Sequence, residues 1–270
     1  NNVIVIKRKR HINKNNKEGL KKYGKTNLLK KIESYEDIDK LKDSFDLIIL
    51  TVKSYDTEEA VKQIKKIISD KTILLSIQNG LGNFEIIKRY ISKKNIFIGI
   101  TSNGVVLEKP GMIKHTGIGY TKIGNISNEN KKRLNKIINV FNKSNIKTTK
   151  SHDIKKELWI KTIINSSINP LTTIFNCKNG YLLENPVLFR IVERICLESS
   201  KIARSEEIFI KDKEMFRKTI QVIKDTKENY SSMLQSCQNK KPLEIDSISG
   251  YLVNIAKRKK IDCLLNSIIY

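Results

Sequence analysis

The sequence predicts an α/β domain built on a mostly parallel sheet, followed by an all-helical domain, and two observations carry that prediction. Val3 to Ile6, Leu47 to Val52, Ile73 to Ile77 and Ile96 to Ile100 are continuous apolar runs of strand length, the pattern of strands covered on both faces. Beyond Asp153 nearly everything has helical spacing, with Gly and Pro confined to Pro170, Gly180, Pro186, Pro242 and Gly250.

The elements between the runs complete the first domain. Ala60, Val61, Ile64, Ile67 and Ile68 give Thr57 to Ser69 an apolar helical face, and Phe84 to Ile91 repeats the spacing. Strand and helix alternating at this pitch argue a doubly wound fold. From Ser102 to Gly124 short pieces broken by Gly104, Pro110, Gly111, Gly117 and Gly119 read as antiparallel hairpins. A helix over Asn130 to Phe141 and a strand near Thr148 close the region. The division falls near His152, giving a first domain of residues 1–152 and a helical one of 153–270.

Length and composition bound the function. A chain of 270 residues is ample for two domains. Its apolar runs fall far short of the roughly 20 residues that span a bilayer, so no membrane partner is expected. It opens on Asn1 and strand material without a signal-peptide pattern, and we read it as beginning inside a domain. Cys177, Cys196, Cys237 and Cys263 share no Cys-x-x-Cys spacing, and with three histidines no metal site is expected. Reduced thiols in a cytoplasmic protein are the expectation. The net charge of +24 would suit a polyanion, and a basic nucleic-acid-binding protein is the rival class. The lysines are spread along the whole chain with few aromatics among them, however, which favours a solvated basic surface and no nucleic-acid partner.

Five stretches carry chemistry. VIVIKRKR, residues 3 to 10, is a strand running into basic residues. In a dinucleotide-binding fold this place reads the adenosine ribose, and Arg there accommodates the 2′-phosphate of NADP. A generic surface charge run is the other reading. LIILTVKSYD, residues 47 to 56, sets Thr51 and Lys53 where a buried strand emerges. SIQNGLGNFEI, residues 76 to 86, holds Gly80-x-Gly82 without the rest of a dinucleotide fingerprint; a tight turn needing glycine is the simpler account.

ELWIKTIINSSIN, residues 157 to 169, is apolar around most of its circumference, while Lys161, Asn165 and Asn169 recur every four residues on one stripe. Polar groups on such a helix need partners, and a partly desolvated lysine has a lowered pKa suited to protonating a carbonyl oxygen. A solvated stripe is the alternative. Finally, residues 228 to 252 place two hydroxyls in SSMLQ and Glu244 and Asp246 in LEIDSISGYL. Acidic residues at a helix start by default stabilise the dipole.

In this order the motifs resemble the ketopantoate reductase family: TVK at a strand end, QNGLGN, the GITSNGVVLEKPGMIKHTGIGYTKIG hairpins, ELWIKTIINSSINPLTTIFNCKNGYLL, and SSMLQ followed by LEIDSISGYL. The resemblance runs from Val3 to the end. It implies a Rossmann-type NADP-binding domain, lacking its first strand and glycine loop, joined to a helical substrate domain, with substrate and nicotinamide meeting in the cleft between them. It implies NADPH-dependent reduction of ketopantoate to pantoate, or of another oxo acid by a related reductase, and leaves a homo-oligomer open. By the same resemblance Lys161 and Glu244 are catalytic, Asn165, Asn169 and Ser232 bind substrate, and Arg8, Lys53 and Asn79 contact the cofactor. Gln235-Ser236 departs from the family's Gln-Asp after SSM, and the family's last helix runs on past Tyr270.

Overall fold

The computed structural model describes residues 3–6, 12–41, 44–127 and 130–270, with the backbone alone at 13–15. Its chain divides into two compact units. Residues 1–51, 58–77 and 87–152 form the first, and residues 52–57, 78–86 and 153–270 the second. Two short segments that follow strands of the first unit therefore belong to the helical one.

In chain order the elements are β1 (Ile4–Ile6), α1 (Ile12–Lys17), β2 (Leu20–Gly24), β3 (Leu28–Lys30), β4 (Glu33–Tyr35), β5 (Leu47–Leu50), α2 (Thr57–Ile64), β6 (Ile73–Ser76), α3 (Asn83–Ile87), β7 (Ile96–Thr101), β8 (Gly104–Lys109), β9 (Met112–Gly117), β10 (Thr121–Gly124), α4 (Lys131–Lys143) and β11 (Thr148–Lys150). The helical unit continues with α5 (Ile154–Ile174), α6 (Tyr181–Glu184), α7 (Pro186–Ser205), α8 (Asp212–Asp225), α9 (Ser232–Gln238), α10 (Tyr251–Lys259) and α11 (Leu264–Ile269).

A five-stranded sheet of order β11-β10-β7-β6-β5 centres the first unit, with β5, β6 and β7 parallel and β10 antiparallel to β7. The continuous apolar runs become these strands because β6 and β7 are buried on both faces. Ile73, Leu75, Phe97 and Ile123 pack with Leu134, Ile137 and Phe141 of α4.

The chain from Ser102 onward does form a hairpin, β8 with β9, but β10 returns to the large sheet and β9 pairs parallel with β2. The resulting sheet of order β3-β2-β9-β8 includes two strands that hydrophobicity did not reveal. LKKYG and LLK carry lysine among half-exposed and exposed positions. Burial therefore imprints little pattern on them. Val3 to Ile6 contributes β1, which pairs parallel with β4 in a separate two-stranded ladder.

The helical unit is held by two apolar clusters. Trp159 and Ile163 of α5 pack with Cys196, Ile202 and Ala203 of α7 and with Leu252 and Val253 of α10, and Leu81 joins them from the 78–86 segment. Ile168 and Leu171 pack with Leu182, Leu188, Val192, Ile195 and Ile223. Asp153 caps α5 by accepting from Lys156 N–H, and Asn185 caps α7 ahead of Pro186 at its first turn. Pro170 lies buried within α5, so that helix runs on through the proline at the loss of one backbone donor. All four cysteines are free thiols. No helix among the described residues is long and apolar enough to cross a membrane.

Candidate active site

Three polar places stand out in the helical unit, and the first is Glu244. This residue is only 8% exposed and precedes a π-helical turn, Asp246–Gly250, that leads into α10. Its Oε2 accepts from Lys53 Nζ at 2.6 Å and its Oε1 from the backbone N–H of Ser54 at 3.1 Å. Lys53 and Ser54 stand where the chain has left β5 and turns toward α2. The expected dipole role for Glu244 is thus incomplete: its carboxylate is held by specific donors from a distant segment.

Lys161 is the second group. It is half-buried on α5. Burial lowers its pKa from 10.5 to about 8, against an opposing upward pull from the charge of Glu244. Desolvation is the larger of the two effects. Lysine so tuned is a proton donor near neutral pH.

The stripe predicted on α5 is present. Asn165 is half-buried and Asn169 buried. The helix's hydroxyls do something different: Thr162 donates to Leu158 O, Ser167 to Ile163 O and Thr173 to Asn169 O. They satisfy themselves on their own helix's carbonyls.

The third place is the turn after β6. Gly80 and Gly82 both have positive φ, +79° and +88°, which glycine adopts without strain. Close packing adds a second reason. A Cβ at Gly80 would lie 2.4 Å from Ser247 Oγ, and one at Gly82 3.0 Å from the Tyr251 ring. Asn79, half-buried, begins this turn. Its carbonyl accepts from Asn83 Nδ2 at 2.9 Å.

A buried network missed in the sequence ties the two inserted segments together. Gln78 Nε2 donates to Val52 O at 2.9 Å and to Thr57 Oγ1 at 2.7 Å, and Thr57 Oγ1 donates to Asn83 Oδ1 at 2.9 Å. Buried amides need such partners. The signal was there in QNGLGN, whose outer amides flank the glycines.

Ser232 stands apart from its neighbour. It is exposed at the start of α9, whereas Ser231 is buried, caps that helix through Leu234 N–H and accepts from Thr172 Oγ1 at 2.8 Å. Arg8, with Lys7, Lys9 and Arg10, lies outside the described residues. Among the described residues no cluster of His, Cys, Asp and Glu could hold a metal ion.

Comparison with known proteins follows the same lines. The family model described as ketopantoate reductase PanE/ApbA matches residues 1–128, and the one for its C terminal matches 153–270. This chain belongs to the ketopantoate reductase family. The 2-dehydropantoate 2-reductase of Pyrococcus abyssi is 36% identical over 99% of this chain and 87% of its own length. That of Pyrococcus horikoshii is 37% identical with the same coverage. Membership makes this chain an oxidoreductase acting on CH–OH groups.

Solved structures agree in fold. A ketopantoate reductase from Geobacter metallireducens is 20% identical and superposes with a TM-score of 0.93 over 100% of this chain and 90% of its own. A PanE/ApbA family reductase from Ralstonia eutropha gives 0.90 at 22% identity, over 99% and 88%. D-mandelate dehydrogenase, solved with NADH and anilino(oxo)acetate, gives 0.94 at 24% identity, over 100% and 88%.

Proposed function

We propose that this chain catalyses the NADPH-dependent reduction of 2-dehydropantoate to pantoate, in the route to pantothenate and coenzyme A, with Lys161 as proton donor. The observation that carries the reading is Lys161, its pKa drawn to about 8 by burial, within the electrostatic reach of the buried carboxylate of Glu244. Reduction of a ketone places negative charge on its oxygen, and an ammonium beside it stabilises that charge and delivers the proton. Glu244 orients the substrate hydroxyls and the lysine. Asn165, Asn169 and Ser232 bind the remaining polar groups of the substrate.

A bound nicotinamide dinucleotide contributes the hydride chemistry. In kind, the residues present fit such a group. Asn79 and Lys53 follow the carboxyl ends of parallel strands, where open α/β sheets take ligands, and offer an amide and an ammonium to ribose and phosphate oxygens. Gly80 and Gly82 are committed to packing on Ser247 and Tyr251, so the phosphate cradle is not theirs. Arg8 is the residue we assign to the 2′-phosphate. Residues 1–152 accordingly serve the dinucleotide and 153–270 the substrate.

The test is NADPH consumption by the purified chain with ketopantoate, set against pyruvate, branched 2-oxo acids and 3-oxo acids. Preference for ketopantoate supports the assignment. Faster turnover of another oxo acid would replace the substrate, and no oxidation with any would sink the reading.

A further inference from the structure

The π-helical turn Asp246–Gly250 begins two residues after Glu244, and its packing has a specific partner. The carbonyl of Ser247 accepts from Leu81 N–H at 2.8 Å, while its hydroxyl donates back to the carbonyl of Glu244 at 3.1 Å. Gly80 approaches so closely that an added Cβ would lie 2.4 Å from Ser247 Oγ, 2.6 Å from its carbonyl oxygen and 2.7 Å from its Cβ. Leu81 then anchors the turn in the apolar cluster of α5, α7 and α10. A π-helical turn inserts a residue into the helix and re-aims the side chains beside it, a device concentrated at functional sites.

We propose that Ser247 is a positioning residue for the reaction: it bolts the Asn79–Gly82 turn to the backbone of Glu244, so that Asn79 and the Glu244 carboxylate are held in one fixed relationship. Ser247 acts through its neighbours and touches no reacting atom. Ser247 is in contact with Glu244, Leu81 and Gly80 at once, so loosening Ser247 lets Glu244 swing, and wedging Gly80 displaces the turn. The proposal rests on the reading of Glu244 and Asn79 as site residues.

The consequence is measurable at Lys161. Glu244, with Lys53 on one of its oxygens, is the charge that raises the Lys161 pKa against desolvation. If Glu244 swings away, that support weakens and the lysine titrates lower. The experiment is competitive acetylation of the 270-residue chain across pH, with Lys161 followed by peptide mass spectrometry, in the unaltered chain, Ser247→Ala and Gly80→Ala. Gly24→Ala is the control for strain, since Gly24 also has positive φ and a Cβ there would lie 2.5 Å from His115 O.

The Lys161 titration should fall by about half a pH unit or more in Ser247→Ala and further in Gly80→Ala. The KM for ketopantoate should rise about tenfold with a smaller change in kcat, as expected when ground-state binding is lost. Gly24→Ala should lower stability and leave the Lys161 titration in place. A titration unchanged in Ser247→Ala, or equally displaced in Gly24→Ala, overturns the proposal. Should Gly80→Ala not fold, Ser247→Ala decides alone. Acetylation needs no substrate, so absence of ketopantoate turnover in the unaltered chain would overturn the proposed function, and the labelling would still judge Ser247.

Discussion

Glu244 Oε2 sits 2.6 Å from Lys53 Nζ, a pair separated by 191 residues of sequence and joined within the helical unit. Lys53 is 40% exposed and Glu244 8%, so one end of the pair is wet and the other is not. Replacing the exposed partner leaves a buried carboxylate still accepting from the Ser54 N–H. Lys53→Met should therefore destabilise the chain by about 1 kcal/mol, the screened value for a half-exposed pair and not the several kcal/mol of a fully buried one. Urea unfolding in low and high salt checks this, and the loss should shrink in high salt.

Lys161→Met should raise stability at neutral pH while abolishing its pH dependence. The folded pKa of about 8 lies below the unfolded 10.5, so the lysine's contribution is most favourable above 10.5 and is lost as pH falls toward 8. Below 8 the penalty is constant, at most about 3 kcal/mol for a displacement of this size. The unaltered chain should gain stability between those pH values and the variant should not. Turnover in Lys161→Ala should drop by about 10² to 10⁴.

Glu244→Gln removes the charge that raises the Lys161 pKa. The alkaline limb of kcat/KM, set in the unaltered chain near pH 8, should move to lower pH, and KM for ketopantoate should rise. A pH–rate profile from 6 to about 9 decides it, since the limb reports the free enzyme's acid. An unmoved limb would detach Glu244 from Lys161.

The two adjacent serines should separate cleanly. Ser231→Ala loses a helix cap and the bond from Thr172, at a cost of about 1 to 2 kcal/mol, seen as a lower unfolding midpoint. Ser232→Ala, on an exposed residue, should leave that midpoint in place and raise KM. If KM is unchanged, Ser232 has no part in substrate binding.

Arg8→Ala should narrow the preference for NADPH over NADH by roughly 10 to 100-fold, the worth of a charge-assisted hydrogen bond. Equal losses with both cofactors would move the assignment to Lys7, Lys9 or Arg10.

The legible part of this molecule was the part that burial writes into sequence. β6 and β7 are apolar because both faces are covered, and α5 shows its stripe because much of the rest of its circumference is packed. β2 and β3 were illegible because lysines on half-exposed strands carry no period. Among the candidate site residues, Lys161, Asn165 and Asn169 were singled out by their spacing along one helix. Lys53 and Glu244 were singled out separately but not as partners, since no local pattern encodes an ion pair across so much chain.

By itself, then, the sequence determined the α/β and helical halves, the polar stripe of α5 and the family whose motifs it carries, all of them short-range or ordered along the chain. Only the tertiary structure decided that residues 52–57 and 78–86 join the helical unit, that Lys53 meets Glu244, and that Gly80 is glycine because Ser247 leaves no room for a side chain. The physical reason is common to all three: hydrogen bonds and close approaches between distant segments depend on where the backbone is carried by packing, and packing is settled by the whole core at once.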